Sequence, residues 1–126
     1  MKRKTIQLMI ATVAVTFIVT SVSAFQAPIR VRFAKGKSST TLSGTVGRYG
    51  KKEYILRGMK GQELWANVSS VCESVTLDVI DNGTGQSLTD PVTEYRDELP
   101  GTDDYVIRVQ NDDLPSCRFT LKVGID

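Results

Sequence analysis

Short runs of period-two alternation, separated by turn residues, restrict this chain more than any other feature. Leu64, Ala66 and Val68 alternate with Trp65 and Asn67; Tyr105, Ile107 and Val109 with Arg108 and Gln110; Phe119, Leu121, Val123 and Ile125 with Arg118, Thr120 and Lys122. Successive strand side chains point to opposite faces, so each run has one apolar face that must be covered by another sheet. Ile29, Val31 and Phe33, set against Arg30, Arg32 and Ala34, read as a first strand. Further strands are expected from Leu42 to Val46, Tyr54 to Arg57 and Val75 to Val79, with a short one from Val92 to Leu99 ended by Pro100 and Gly101. Glycine- and serine-bearing turns fall at 35–39, 47–50, 58–62 and 111–116, and residues 81–92, headed by Asp81, Asn82 and Gly83, read as the major loop. Seven or eight such strands with no helical period after residue 24 predict an all-β fold, a compact antiparallel β-sandwich. Trp65 falls on the face opposite Leu64, Ala66 and Val68, where it either packs under a neighbouring element or meets a partner.

The N-terminus has a different pattern. Lys2, Arg3 and Lys4 precede an uncharged apolar stretch from Ile6 to Val19, followed by Thr20, Ser21, Val22, Ser23 and Ala24. That is the layout of a secretory signal peptide, with cleavage expected after Ala24. A retained anchor is the alternative, but the stretch is short of the ~20 residues a span needs. Residues 1–24 are thus read as a cleaved signal and 25–126 as one β-sandwich domain. With no second apolar run and no cysteine at the cut to carry a lipid, the mature protein is expected to be periplasmic or secreted and free of the membrane. It would carry thirteen basic residues against fourteen acids, a balance that argues against nucleic acid as a partner. The charges are unevenly distributed: Phe25 to Gly61 holds nine basic residues and one acid, and Glu73 to Asp113 eleven acids and two arginines. Two oppositely charged sheets would give a field along the molecule that steers a charged partner. Cys72 and Cys117 are the only cysteines, and in an exported chain a lone pair is expected to form a disulfide. Closing a loop of about 45 residues stabilises by roughly 4 kcal/mol in the chain-entropy view.

Catalytic chemistry is poorly represented. The absence of histidine removes the usual general base, the commonest metal ligand and every Ser-His or Cys-His arrangement. Adjacent acids at Asp97 and Glu98 or at Asp103 and Asp104 do not make an acid/base pair, because strand neighbours point to opposite faces. The chain reads as a non-enzyme. Calcium fits the oxygen-rich turn residues Asp81, Asn82, Asp103, Asp104, Asp112 and Asp113 best, but their spacing matches no EF-hand loop and turn preference accounts for them. No cofactor and no metal is expected.

Several of these segments recur together elsewhere. Ile29 to Ser39 reads Ile-Arg-Val-Arg-Phe-Ala-Lys-Gly-Lys-Ser-Ser; Leu-Ser-Gly-Thr-Val follows at 42–46, then Tyr49, Tyr54 and Lys60-Gly61-Gln62, with Leu99-Pro100, Asp104-Tyr105 and Arg108-Val109 later. This succession resembles the bacterial periplasmic inhibitors of g-type lysozyme over most of the mature chain. The resemblance implies a sandwich that pushes loops into a muramidase substrate cleft, with g-type lysozyme as the partner. Tyr49 matches the tyrosine that family presents from its second hairpin. Arg48, Lys51 and Lys52 beside it suit a cleft that works with carboxylates, and the 81–92 loop with Asp81 and Asn82 is a second expected contact. The last loop departs from the pattern: where the family carries arginines, Gln110 to Ser116 is short and acidic. An exported sandwich module that binds a cell-wall sugar or protein without inhibiting anything is the alternative.

Overall fold

A computed structural model of the chain describes residues 27–126, which fold into eight strands. These are β1 (Ile29–Arg30), β2 (Ser39–Gly47), β3 (Lys51–Gly58), β4 (Glu63–Ser69), β5 (Val75–Asp81), β6 (Glu94–Glu98), β7 (Asp103–Asn111) and β8 (Ser116–Ile125). They make two four-stranded sheets, ordered β1-β3-β7-β5 and β2-β8-β4-β6. The all-β sandwich expected from the alternation is what forms, with no helix among the described residues. The expected signal peptide lies outside them.

Odd-numbered strands form one sheet and even-numbered strands the other, so every connection crosses the sandwich and no strand pairs with its sequence neighbour. The expected turns are therefore corners between sheets. The crossing also corrects the expectation of two oppositely charged sheets. The basic segment supplies β1 and β3 to one sheet and β2 to the other, and the acidic segment is divided in the same way between β5, β7 and β6. Charge therefore runs from side to side across both sheets.

One local expectation is also corrected. The first strand is only Ile29–Arg30, and it is the one parallel pairing, against Tyr54 and Ile55 of β3. After Val31 N donates to Ile55 O, the chain leaves the sheet edge so that Val31 and Phe33 can pack on the core. The 81–92 segment folds back on β5: Leu77 exchanges hydrogen bonds with Val92, and Leu88 N donates to Val79 O.

The alternating rows meet between the sheets, where Leu64, Ala66, Leu77, Val79, Tyr105, Ile107, Val109, Leu121 and Val123 are fully buried. Tyr54 and Phe119 pack edge to face, with ring centroids 6.4 Å apart. Gly44 makes room for them, since a Cβ there would lie 2.7 Å from Phe119 Cζ. Trp65 lies on the outer face of the second sheet, flat over Gly124, where a Cβ would come within 2.3 Å of Cε2. Arg96, ion-paired with Glu63, sits 5.7 Å from the indole centroid. The indole thus packs on its own sheet.

The Tyr54 hydroxyl is buried without a partner. Leaving such a group unsatisfied costs about 1–3 kcal/mol, so Tyr54→Phe is expected to raise the unfolding free energy by about 1 kcal/mol, read from the urea midpoint. Burial also pushes the phenols of Tyr54, Tyr95 and Tyr105 above the usual 10.0. The unfolded chain ionises first, so this part of the stability is present below pH 10 and falls as pH rises through the raised folded-state values. The alkaline loss is expected to be shallower in the Phe variant.

Candidate functional site

At one end of the sandwich, β2 passes to β3 through Gly47, Arg48, Tyr49 and Gly50, closed by Gly50 N donating to Gly47 O at 2.9 Å. Tyr49 sits third in this turn with φ 58°, the only positive φ outside glycine among the described residues. A left-handed backbone costs an L-residue roughly 1–2 kcal/mol, and the position usually goes to glycine or asparagine. Tyr49 N donates to Asn111 O at 2.7 Å and Asn111 N to Gly50 O at 3.1 Å. Two residues thus oppose one, a bulge of the kind that normally takes glycine in its first position. The ring gains nothing from burial in return, being 76% exposed. Tyr49 is thus a strained, solvent-presented aromatic on a fixed backbone.

Asn111 holds this arrangement. It is the one polar residue fully buried among those described, and its amide is saturated. Nδ2 donates to Leu114 O at 2.6 Å and Val46 O at 3.3 Å, while Oδ1 accepts from Ser74 Oγ at 2.7 Å and Asp113 N at 3.4 Å. One side chain therefore ties the end of β2, the β4–β5 connection and the β7–β8 loop together. The Cys72–Cys117 disulfide adds a covalent tie from the β4–β5 connection to the start of β8.

Arg48 extends the site toward the β7–β8 loop: its N donates to Pro115 O and its Nε to Asp113 O at 2.6 Å. Lys51, opposite Gln110, is exposed beside it. Lys52 lies on the inward side of β3, its ammonium 3.2 Å from where a Gly44 Cβ would stand. Among the described residues none of the three is paired with a carboxylate. The structure therefore groups Tyr49, Arg48 and Lys51, with Lys52 just inside them. It also brings in residues that sequence reasoning passed over: Val71 at 97% and Leu114 at 41% exposure give the same end two further apolar contacts. The acidic pair Asp112 and Asp113 is there as well, on the loop that Arg48 grips.

Asp81 and Asn82 are elsewhere. Val75 pairs with Asn111 and Asp81 with Tyr105, six residues farther along, about 20 Å at ~3.3 Å per residue. There Asp81 Oδ1 accepts from Gly83 N and Asn82 N donates to Asp104 O, while Arg30 pairs with Asp104. Among the described residues no group of three or more acidic or cysteine side chains is arranged to hold a metal ion.

The class defined by this geometry is a small two-sheet sandwich presenting an exposed, hydrogen-bonded tyrosine turn at one end. No family model and no curated relative matches the chain, but solved structures do. PliG of Aeromonas hydrophila, a periplasmic lysozyme inhibitor of g-type lysozyme, superposes with a TM-score of 0.70 at 22% identity, covering 79% of this chain and 96% of its own. PliG of Salmonella Typhimurium gives 0.65 at 20% identity over 79% and 97%. A mutant of the Escherichia coli protein gives 0.61 at 22% identity over the same shares. The fold is that of these inhibitors, and at such identities it is the fold alone that the likeness establishes.

If Tyr49 is strained for contact, relieving the strain should stabilise the protein. Tyr49→Gly removes the left-handed penalty of roughly 1–2 kcal/mol and adds roughly 0.5–1 kcal/mol of unfolded-chain entropy. A net gain of about 0.5 kcal/mol is expected in chemical denaturation; a loss would place the ring in a packing role.

Proposed function

We propose that the protein is a periplasmic, non-enzymatic inhibitor of a g-type lysozyme that places the Tyr49 turn in the enzyme's substrate cleft. The observation that carries this reading is Tyr49 itself, left-handed, 76% exposed and held by Asn111. Its support is the fold shared with proteins described as periplasmic inhibitors of that enzyme class. Glycosidase clefts carry two carboxylates and bind a sugar through polar and stacking contacts. A phenol ring replaces a sugar face, and Arg48 and Lys51 approach the acids with Lys52 behind them. Val71 and Leu114 offer exposed apolar surface at the same end. The turn needs no ordering on binding, so little conformational entropy is lost. Asp81 and Asn82, at the far end, are left out of this footprint.

The acidic β7–β8 loop works against the same contact. Asp112 and Asp113 bring negative charge toward a carboxylate-bearing cleft, and like charges at an interface weaken association. The Tyr49 turn must then supply most of the affinity, since the hydrogen bond from Arg48 to the Asp113 carbonyl keeps the loop beside it.

Titrating g-, c- and i-type lysozymes with purified protein tests the reading: inhibition is expected for the g-type enzyme, and unchanged muramidase rates in all three would overturn it. Tyr49→Ala is expected to weaken inhibition at least tenfold, about 1.4 kcal/mol or more, as truncating an aromatic anchor does. Undiminished inhibition would move the interface away from the turn. Neutralising the loop with Asp112→Asn and Asp113→Asn is expected to strengthen inhibition by about three- to tenfold, and more at low salt.

A further inference from the structure

Sheet edges expose unpaired backbone groups, and folded proteins normally blunt them. This sandwich has four edges and treats three of them. β1 is two residues long. β5 is covered by its own returning segment, which bonds Leu77 and Val79. β6, Glu94–Glu98, carries charge at Glu94, Arg96, Asp97 and Glu98.

β2 is treated in none of these ways. It runs nine residues, Ser-Thr-Thr-Leu-Ser-Gly-Thr-Val-Gly, with no charge and no proline, and pairs with β8 in unbroken register from Ser39 opposite Gly124 to Gly47 opposite Ser116. The parity of its hydrogen bonds can be fixed. Ile125 N donates to Ser38 O and Arg48 N to Pro115 O, so even-numbered residues face β8 and odd-numbered ones face away. Thr41, Ser43 and Thr45 therefore turn their N–H and C=O groups to the open side, and no bond from the described residues reaches them.

The surroundings of this edge specify a sign of charge. On the outer face Lys122 stands beside Thr41 and Arg118 beside Thr45, and β8 contains no acid. On the inner side the Lys52 ammonium reaches Gly44, and Lys35 and Lys37 lead into the strand. Asp126, which accepts from Ser38 Oγ at 3.4 Å, lies beyond its N-terminal end. A second copy of β2 laid antiparallel about Ser43 would bring two such sets of cations together. An acidic strand would be flanked by them instead.

We infer that the free edge of β2 takes up an extended acidic segment of a partner protein by strand addition, with Thr41, Ser43 and Thr45 supplying the backbone bonds and Arg118 and Lys122 the charge. This surface is separate from the Tyr49 turn and does not depend on its role.

The probe is a capped nine-residue peptide of alternating Glu and Val, titrated into the 15N-labelled protein. Saturable shifts and slowed exchange are expected at the amides of Thr41, Ser43 and Thr45. A Lys-Val peptide of the same length should bind at least about tenfold more weakly, and raising salt from about 50 to about 500 mM should weaken the Glu-Val peptide. Ser43→Pro removes one outward N–H without breaking the β8 pairing, a place where an edge strand accepts proline, and should abolish the shifts. Arg118→Glu with Lys122→Glu, which leaves the backbone intact, should weaken binding at least about tenfold. No shift at these amides, equal affinity for both peptides, or binding that survives both variants would overturn the inference. Shifts that grow with protein concentration alone would overturn it too, since they would make a second copy the occupant.

Discussion

The chain changes sheet at every connection, and the rest of the structure follows from that constraint. With odd strands on one side and even strands on the other, no pairing is local, and neither sheet can form before the other is under way. Such topologies lose loop entropy before contacts repay it and fold slowly for their size. The disulfide between Cys72 and Cys117 acts on this difficulty by tying a corner that β4, β5, β7 and β8 share. It shortens the search for the very crossing that has no hairpin to guide it.

Crossing strands also need corners, and a corner exposes backbone groups that neither sheet satisfies. At the Tyr49 end this is resolved with a buried amide. The hydrogen bonds of Asn111 reach the end of β2, the β4–β5 connection and the β7–β8 loop, and a saturated polar network of this kind has one geometry or none. Rigidity at the Tyr49 turn and closure of the sandwich therefore both run through Asn111. The turn can hold a tyrosine in a glycine conformation because its backbone is fixed from outside by β7.

Much of this was legible in residues. The inward rows from Leu64, Tyr105 and Phe119 are written as alternation, and the disulfide as a lone pair of cysteines. Tyr49 could be singled out through likeness and charged neighbours, but its left-handed backbone could not, because tyrosine in a turn carries no such signal. Asn111 was hidden for the opposite reason: asparagine at a strand end reads as a turn former, and only the packing of a strand end and two connections around it makes it a core residue. Ile29 to Ala34 misled because alternation marks which face a residue takes and says nothing of how long its neighbour strand accompanies it. The two charge blocks misled because sequence neighbours are never sheet neighbours in this topology.

The stack of Arg96, Trp65 and Gly124 has an optical consequence. Trp65 is the only tryptophan, and its indole lies on the backbone of β8, a surface that exists only while β4 and β8 are paired. It sits opposite the start of β2, since Ser39 and Trp65 both flank Gly124, a full strand length from Tyr49. Its emission is thus a built-in gauge of whether the second sheet is assembled, insensitive to events at the Tyr49 turn, so unfolding can be told apart from a change confined to that turn in an untagged sample.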